Sequence, residues 1–312
     1  SHEFRTPLTL ISHAINEIAE DEDICTNKYV NIIQQNTGKL SNMVNELLDF
    51  HRAEIKSAQL RTAYTSIPEY VNDIYEEFKG WAEASDIHVN LQIDDRNIRM
   101  WIDPEHFGKI LSNILSNSIR YSHANSEINI QVSKGLVDDI IPLYKDSFWN
   151  TKEMIPGEQV IIRVSDTGIG MEKAVLPTIF KRFHQVQNNT GKQHSGSGIG
   201  LSLVKSLIEL HHGGIIISSK PNAGTEVIIA LPISDAYLTK EEKTEENTFV
   251  LKDYLSNYAV EYAPLEVEET TAIYREGKPT ILLVDDNHEI LMILREYFVK
   301  EYNIIMAIDG QE

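Results

Sequence analysis

The sequence is poor in cysteine, in basic residues and in long apolar runs, and each scarcity excludes a class of protein. Cys25 is the only cysteine among 312 residues, so the chain has no internal disulfide, no cysteine pattern for zinc, and a thiol content typical of a reducing compartment. The apolar runs, such as IIPL and VIIAL, fall far short of the roughly 20 residues that a membrane helix needs. No basic segment followed by an apolar one opens the sequence, so these residues show no secretory signal.

The scarcity of basic residues bears on partners. There are 28 Lys and Arg against 47 Asp and Glu, which gives a formal net charge of −19. A broad nucleic-acid interface needs clustered Lys and Arg, because these side chains neutralise phosphates. We therefore expect no direct nucleic-acid binding by this chain.

Residues 1–57 have the periodicity of two helices. The apolar positions are Leu8, Ile11, Ile15 and Ile18 in the first, and Tyr29, Ile33, Asn36, Leu40, Met43 and Leu47, a heptad seam, in the second. Two helices cannot bury both seams alone, so we predict a helical hairpin that dimerises as a four-helix bundle. The polar Asn36 favours one register of that bundle. A hairpin docked on its own domain is the alternative.

Residues 64–233 alternate between helix and strand patterns. Ser66 and Glu69 have the spacing of a capping box at the start of one predicted helix, and Asp103-Pro104 begins another. Strands are predicted at residues 87–93, 98–102, 128–132, 160–164, 215–218 and 226–231. The segment 134–158, which we call the excursion, lies between two adjacent strands, and the sequence assigns it no function.

The last part of the chain changes pattern twice. Residues 235–278 form an acidic connector. Thr280–Val284 is then an apolar run that ends in Asp285-Asp286, and a predicted helix and a second apolar run, Tyr302–Ile308, complete one βαβ unit. Because one strand pair and one helix cannot cover both faces of a sheet, we expect the chain to be part of a longer protein.

Two glycine-rich segments have the chemistry of an anion site. Asp166-Thr167-Gly168-Ile169-Gly170 follows a buried strand, and Gly196-Ser197-Gly198-Ile199-Gly200-Leu201 opens an amphipathic helix. Glycines let backbone N–H groups approach phosphate oxygens, and a helix N-terminus adds a favourable dipole. Their spacing fits neither a Walker loop nor a dinucleotide fingerprint.

Polar side chains extend this chemistry towards an adenine nucleotide. Asp166 can accept a hydrogen bond from an exocyclic amine, and Asn117 can offer its amide oxygen to magnesium. Asn113, Asn117 and Arg120 share one helix face, so the guanidinium can reach the same phosphates.

The order of these motifs resembles the ATP-binding domain of the histidine kinases. The boxes of that family correspond to Asn113/Asn117, Asp166-x-Gly168-x-Gly170, Phe180/Phe183, Gly196-x-Gly198-x-Gly200 and Gly224-Thr225. The start, Ser1-His2-Glu3-Phe4-Arg5-Thr6-Pro7-Leu8, resembles the phosphoacceptor box of the same proteins. Residues 279–312 resemble the first third of a response-regulator receiver domain. The chain is thus similar to a hybrid two-component sensor kinase.

The resemblance implies a fold class and a division of the chain. The fold is a helical hairpin in a dimeric four-helix bundle, an α/β sandwich of the histidine kinase, gyrase and chaperone type, and a truncated βαβ receiver fragment. The implied domains are 1–60 for dimerisation and phosphoacceptance, 64–234 for ATP binding, 235–278 as a linker and 279–312 as the start of the receiver. A homodimer through residues 1–57 follows, as does a cytoplasmic location for this fragment, with a longer parent anchored in the bacterial inner membrane.

The resemblance also implies an activity, ATP-dependent phosphorylation of a histidine. His2 attacks the γ-phosphate, Glu3 orients the imidazole and takes its proton, and Thr6 places water in a phosphatase reaction. The phosphoryl group then passes to an aspartate of a receiver domain in the same longer chain or in a separate response regulator. Two alternatives remain: an ATP-binding switch without phosphotransfer, in which the His2-Glu3 pair has no use, and a dimerising scaffold, against which the intact glycine boxes count.

The cofactors implied are ATP and Mg²⁺, the metal on Asn117. The implied cofactor-binding residues are Asn113, Asn117, Arg120, Tyr121, Asp166, Gly168, Gly170, Lys181, Phe183, Lys192, Gly196, Gly198, Ile199, Gly200, Leu201 and Thr225, and the receiver acidic pair is Asp285 and Asp286. Gln185 stands where many family members carry an arginine near the γ-phosphate, which leaves Lys181, Arg182 or Lys192 as the source of that charge.

Overall fold

The structure, a computed structural model, describes most of the chain beyond residue 59. The described residues are 60–152, 154–182, 198–244, 277–285, 291, 294–295 and 297–307, together with Leu8, Ile11, Ile15, Val30, Ile33, Asn36–Gly38, Leu40, Met43 and Val44, all of which are helical. The chain forms two compact units, one of residues 1–37, 186–196 and 263–312 and the other of residues 38–185 and 197–262. Each unit is described by itself below.

Beyond residue 59, the described residues of the larger unit form eight strands and three α-helices. In chain order these are β1 (Ala63–Ser66), α1 (Ile67–Ala84), β2 (His88–Ile93), β3 (Arg99–Ile102), α2 (Pro104–Arg120), β4 (Glu127–Gly135), β5 (Ser147–Asn150), β6 (Gln159–Asp166), α3 (Gly200–Leu210), β7 (Gly214–Lys220) and β8 (Gly224–Pro232). A short 3-10 helix, Val137–Asp139, follows β4.

Six of these strands form one mixed sheet in the order β2-β4-β6-β8-β7-β5. β2 and β4 are parallel, and every other neighbouring pair is antiparallel. α1 contacts β2, α2 contacts β6 and α3 contacts β7, and α2 packs against both other helices, so the helices form one layer on the sheet. The predicted α/β sandwich is confirmed, and it places the C-terminal end of β6 beside the end of α2.

The two helix starts differ although their sequences are alike. At α2, Asp103 accepts a hydrogen bond from the backbone N–H of His106, as predicted. At α1, Ser66 makes no side-chain capping bond, so the predicted capping box is wrong. Ser66 is instead the last residue of β1, paired with Arg99 of β3, and the Ile67 N–H donates to the Ile98 carbonyl.

The excursion lies between two adjacent strands, β4 and β6, as predicted, and it also contains a strand that the sequence pattern does not show. β5 forms the edge of the sheet against β7, with Phe148 opposite Ile217. Val137 and Ile140 of the excursion join a buried apolar cluster with Ile161 and Ile216. The excursion therefore covers part of the sheet and extends it by one strand.

The first residues of the acidic connector pack on the larger unit. Thr62 forms a parallel bridge with Lys243, and the Thr62 N–H donates to the Glu242 carbonyl over 2.8 Å. In the smaller unit, β9 (Thr280–Val284) and β10 (Asn303–Ala307) are parallel, as a βαβ unit requires. Among the residues that the structure describes, no helix has the length and apolar character needed to cross a bilayer.

Candidate functional site

A buried carboxylate lies at the end of β6, where three segments of chain meet. Asp166 is 8% exposed, and its Oδ1 accepts hydrogen bonds from the backbone N–H of Gly168 at 3.0 Å and of Thr225 at 3.2 Å. The Ser118 hydroxyl of α2 also donates to this carboxyl. Burial raises the pKa of Asp166 to about 6, and the three donors oppose that rise.

Two glycines allow α2 to approach the glycine-rich segments closely. A Cβ on Gly168 would lie 2.2 Å from the Tyr121 carbonyl oxygen, which also accepts the Ile169 N–H at 3.0 Å. A Cβ on Gly200, the first residue of α3, would lie 2.4 Å from Asn113 Oδ1. Any side chain at either position would push α2 away, so these glycines fix its distance from the Asp166 loop and from α3.

The turn between β7 and β8 closes the other side of the loop. A Cβ on Gly170 would lie 2.0 Å from the Lys220 carbonyl oxygen, and one on Gly224 would lie 1.9 Å from that of Asp166. Gly224 has φ +118°, which side chains rarely adopt. The four glycines thus allow close packing of α2, the Asp166 loop, the start of α3 and the β7–β8 turn.

Most of the other predicted residues that the structure describes lie on α2 and at the start of α3. On α2, Asn113 is buried and donates from Nδ2 to the Lys109 carbonyl, while Asn117, Arg120 and Tyr121 are half-buried. At the start of α3, Ile199 is buried and Leu201 is half-buried, directly after Gly198. Lys181 and Arg182 are exposed. The site thus combines amides, one guanidinium and a helix N-terminus, which suits a polyphosphate next to a base.

Several predicted residues lie outside the described part of the chain. They are His2, Glu3, Thr6, Phe183, Lys192, Gly196 and Asp286, and Gln185 is a further one. The described residues contain no group of three His, Cys, Asp or Glu side chains that could hold a metal by themselves. A magnesium ion carried mainly by phosphate oxygens and water, with Asn117 as one ligand, fits such a site.

One residue of the site, Ser118, is not among the predicted ones. It lies one position after Asn117 and donates a hydrogen bond to the Asp166 carboxyl. A polar residue on a buried apolar face is the signal that could have found it, because buried hydroxyls need a partner.

Comparisons with known proteins identify two domains in the sequence. Residues 1–55 match the family described as "His Kinase A (phospho-acceptor) domain", and residues 102–235 match "Histidine kinase-, DNA gyrase B-, and HSP90-like ATPase". The "Histidine kinase P4" of Formosa agariphila is 27% identical over 320 residues, which are 100% of this chain and 22% of that protein. The chain therefore spans about a fifth of that relative's length.

Two solved structures share the fold. The full-length ShkA structure in complex with AMPPNP has a TM-score of 0.55 at 18% identity and covers 99% of this chain and 54% of its own. The histidine kinase ThkA in complex with the response regulator protein TrrA has a TM-score of 0.52 at 21% identity, over 75% of this chain and 59% of its own. The chain therefore carries the phosphoacceptor and ATP-binding domains found in sensor histidine kinases, matched in that order.

Proposed function

We propose that this chain is an ATP-dependent protein-histidine kinase that phosphorylates His2 and passes the phosphoryl group to a receiver aspartate. The observation that carries the proposal is the buried Asp166 carboxylate, held by Gly168, Thr225 and Ser118 at the meeting point of α2, the glycine loop and β8. A buried acceptor that no cation of the described residues neutralises suits the exocyclic amine of adenine, which donates without carrying charge.

The nucleotide would extend from this acceptor along α2. Asn113 and Arg120 would contact the phosphates, Asn117 would hold Mg²⁺, and the backbone from Gly196 to Leu201 would bind the triphosphate at the start of α3. The metal would neutralise charge on the phosphates. Lys181, Arg182 and Lys192 are the candidates for a further positive charge near the γ-phosphate. Catalysis by the ATP domain would rest on positioning and charge stabilisation.

The covalent step would occur on His2. A ring nitrogen attacks the γ-phosphorus, the N–P bond forms as the bond to the β,γ-bridging oxygen breaks, ADP leaves, and Glu3 takes the ring proton. Thr6 would place water when the same site removes the phosphoryl group. ThkA was solved with a response regulator protein, which supports transfer to a receiver aspartate here.

Two further parts of the proposal concern assembly. Leu8 and Ile15, two of the apolar positions of the first helix, are helical and 53% and 51% exposed, which supports a second copy as the cover of that helix face. The parallel pair β9-β10, with Asp285 directly after β9, supports residues 279–312 as the start of a receiver whose acidic pair is Asp285 and Asp286. The membrane anchor that the family resemblance implies for a longer parent stays a prediction.

The first test measures phosphate transfer directly. The purified chain is incubated with Mg²⁺ and γ-labelled ATP beside a His2→Gln variant, and the label on the protein is tested for acid lability and base stability. We expect acid-labile, base-stable label on the parent chain and none on His2→Gln. Label that persists on His2→Gln would show a different acceptor.

ATP binding is measured on the same samples, which separates the kinase from the alternative switch. His2→Gln should bind ATP as tightly as the parent chain, because residue 2 is not part of the nucleotide contacts. ATP binding without any label on the parent chain would favour the nucleotide-operated switch. Loss of ATP binding in the parent chain would contradict both functions.

A further inference from the structure

The excursion reaches the candidate nucleotide site, although the sequence gives it no role. Its residues 143–148 run beside the turn that joins β7 to β8, just before β5 pairs with β7. The Ser219 N–H donates to the Asp146 carbonyl at 3.1 Å, and the Tyr144 N–H donates to Ser218 Oγ at 3.3 Å. This segment is therefore hydrogen-bonded to β7 at the residues next to the turn.

The Tyr144 side chain closes on the turn itself. Its hydroxyl donates to the Ala223 carbonyl at 2.7 Å, one residue before Gly224. Tyr144 is half-buried, and burial followed by the negative charges of Asp166 and Glu226 raises its pKa. The phenol therefore remains a proton donor throughout the neutral range, as this hydrogen bond requires.

A short chain of contacts joins this turn to the Asp166 carboxylate. The Ser219 hydroxyl donates to the Gly224 carbonyl at 2.8 Å and lies 2.9 Å from Thr225 Oγ1. The Thr225 N–H then donates to Asp166 Oδ1. Ala223, Gly224 and Thr225 are consecutive, so a shift of the carbonyl that Tyr144 holds moves the N–H that orients the carboxylate.

The same segment contacts the chain that follows the glycine loop. The rings of Phe148 and Phe180 have centroids 5.5 Å apart, and Lys173 Nζ lies 3.2 Å from Asp146 Oδ1. The Met171 N–H also donates to Ser219 Oγ at 2.8 Å. The excursion thus contacts both the β7–β8 turn and the chain after the Asp166 loop, and Tyr144 bonds the turn two residues before Thr225.

We propose that Tyr144 is a positioning residue for adenine recognition, acting through the β7–β8 turn on Thr225 and Asp166. The inference rests on the proposed function, in which Asp166 accepts a hydrogen bond from the exocyclic amine of ATP. The Tyr144 hydroxyl holds the Ala223 carbonyl and so the position of the turn. The position of the turn sets that of the Thr225 N–H, and this N–H orients the Asp166 carboxylate towards the base. Tyr144 itself is not among the residues proposed to contact the nucleotide.

The test compares ATP with inosine triphosphate, which has a carbonyl oxygen in place of the exocyclic amine. Dissociation constants are measured by calorimetry for the full chain and for Tyr144→Phe, which removes only the hydroxyl. We expect Tyr144→Phe to weaken ATP binding about fivefold, the loss of one hydrogen bond, and to leave inosine triphosphate binding nearly unchanged. The ratio of the two affinities reports recognition of the amine, which a general loss of stability would not change.

Tyr70→Phe is the matched control. The Tyr70 hydroxyl also donates to a backbone carbonyl, that of Pro104, away from the Asp166 loop. Tyr70→Phe should lower the melting temperature, which is followed by tryptophan fluorescence. It should leave the ratio of the ATP and inosine triphosphate affinities as in the parent chain.

Three results would overturn the inference. Tyr144→Phe that weakens both nucleotides equally, or neither, would leave Tyr144 as a structural residue while ATP binding by the parent chain stands. A parent chain that binds both nucleotides equally would remove the amine contact on which the inference depends. A parent chain that binds no ATP would overturn the proposed function as well.

Discussion

At the scale of single residues, the charge of Asp166 supports the proposed recognition of adenine but lowers the stability of the folded protein. Its pKa is about 6 where an aspartate is ordinarily 3.8, because burial penalises the charged form. Between these two pH values the native state binds a proton that the unfolded chain has lost, so ionisation in the folded protein at pH 7 costs about 3 kcal/mol. A carboxylate kept at such a cost is typical of a functional site.

Because the buried charge costs stability, we predict that Asp166→Asn raises the free energy of unfolding and weakens ATP binding. An asparagine keeps an oxygen for the N–H groups of Gly168 and Thr225 but carries no charge, so the free energy of unfolding at pH 7 should rise by about 1 to 3 kcal/mol. ATP binding should fall at least tenfold, because the amide forms a weaker bond with the amine. Urea unfolding and calorimetry measure the two effects.

The matched control for this variant is Asp138→Asn, which removes the same charge from an exposed position. It should change the free energy of unfolding by no more than about 0.5 kcal/mol and leave ATP binding intact. An Asp166→Asn protein that is less stable than the parent and still binds ATP would contradict the account of this carboxylate.

The sequence predicted this residue but not its surroundings. An aspartate directly after an apolar strand and before two glycines is a local pattern, so Asp166 and Gly168 could be found by reading along the chain. Ser118 and Tyr144 are 48 and 22 residues away from Asp166 in sequence, and only the pairing of strands and the packing of α2 bring them close. The sequence pattern can mark Ser118 as a polar residue on an apolar face, but it does not show which group that residue contacts.

At the scale of elements, glycines with the same chemistry have opposite roles. Gly80 lies exposed inside α1, with no atom within 4 Å of a Cβ placed on it. Gly224 begins β8 with φ +118°, and a Cβ there would lie 1.9 Å from the Asp166 carbonyl oxygen. The first costs helix stability, and the second permits a contact that no other residue allows.

Alanine substitutions at these two positions should therefore change stability in opposite directions. Gly80→Ala should raise the free energy of unfolding by about 0.4 to 1 kcal/mol, since alanine restricts the unfolded chain and fits the helix. Gly224→Ala should lower it by at least about 2 kcal/mol, because both the backbone conformation and the contact must change. Urea unfolding of both variants tests this, and a change of the same sign in both would contradict it.

The strand and helix predictions succeeded where periodicity is strong and failed where tertiary contacts decide. The strands around Val160 and Ile228 are apolar runs and were predicted. β5, with the sequence SFWN, has too little alternation to stand out, and its pairing with β7 defines it. Ser66 and Asp103 look equally suited to cap a helix, but Ser66 is used by β1 and only Asp103 is free to do so.

At the scale of the whole molecule, the sequence predicted the fold class but not the strand order. The motifs are ordered along the chain, and that order was enough to predict a helical segment, an α/β sandwich and a βαβ end. The order β2-β4-β6-β8-β7-β5 places β2 at one edge of the sheet and β5, the strand of the excursion, at the other. This arrangement depends on long-range pairing, which a local pattern does not contain.

His211 shows the same limit for charge. Histidines at the end of a helix are often cationic, because positive charge suits the helix dipole, but His211 at the end of α3 is not. It is 1% exposed, Nδ1 donates to the Leu207 carbonyl, and Nε2 accepts the Asp103 N–H at 3.4 Å. Burial, and next the neighbouring His106, lower the pKa of His211, so its ring is neutral at pH 7.

His211 and Asp166 should act in opposite directions on stability as the pH falls. Below the ordinary histidine pKa of 6.5 the unfolded chain takes up a proton that native His211 does not, so stability is lost. Around pH 6 native Asp166 takes up a proton that the unfolded chain accepts only near 3.8, so stability is gained. In the parent chain the two changes offset each other between pH 6.5 and about 5.

Asp166→Asn removes the gain and keeps the loss, so its free energy of unfolding should fall more steeply between pH 7 and 5 than that of the parent chain. All three tryptophans, Trp81, Trp101 and Trp149, lie in the larger unit, so urea unfolding followed by their fluorescence reports this unit. Parallel pH profiles would mean that Asp166 does not take up its proton in this range. A steeper profile for Asp166→Asn would identify the buried carboxyl of the candidate nucleotide site as the group that masks the acid sensitivity of His211.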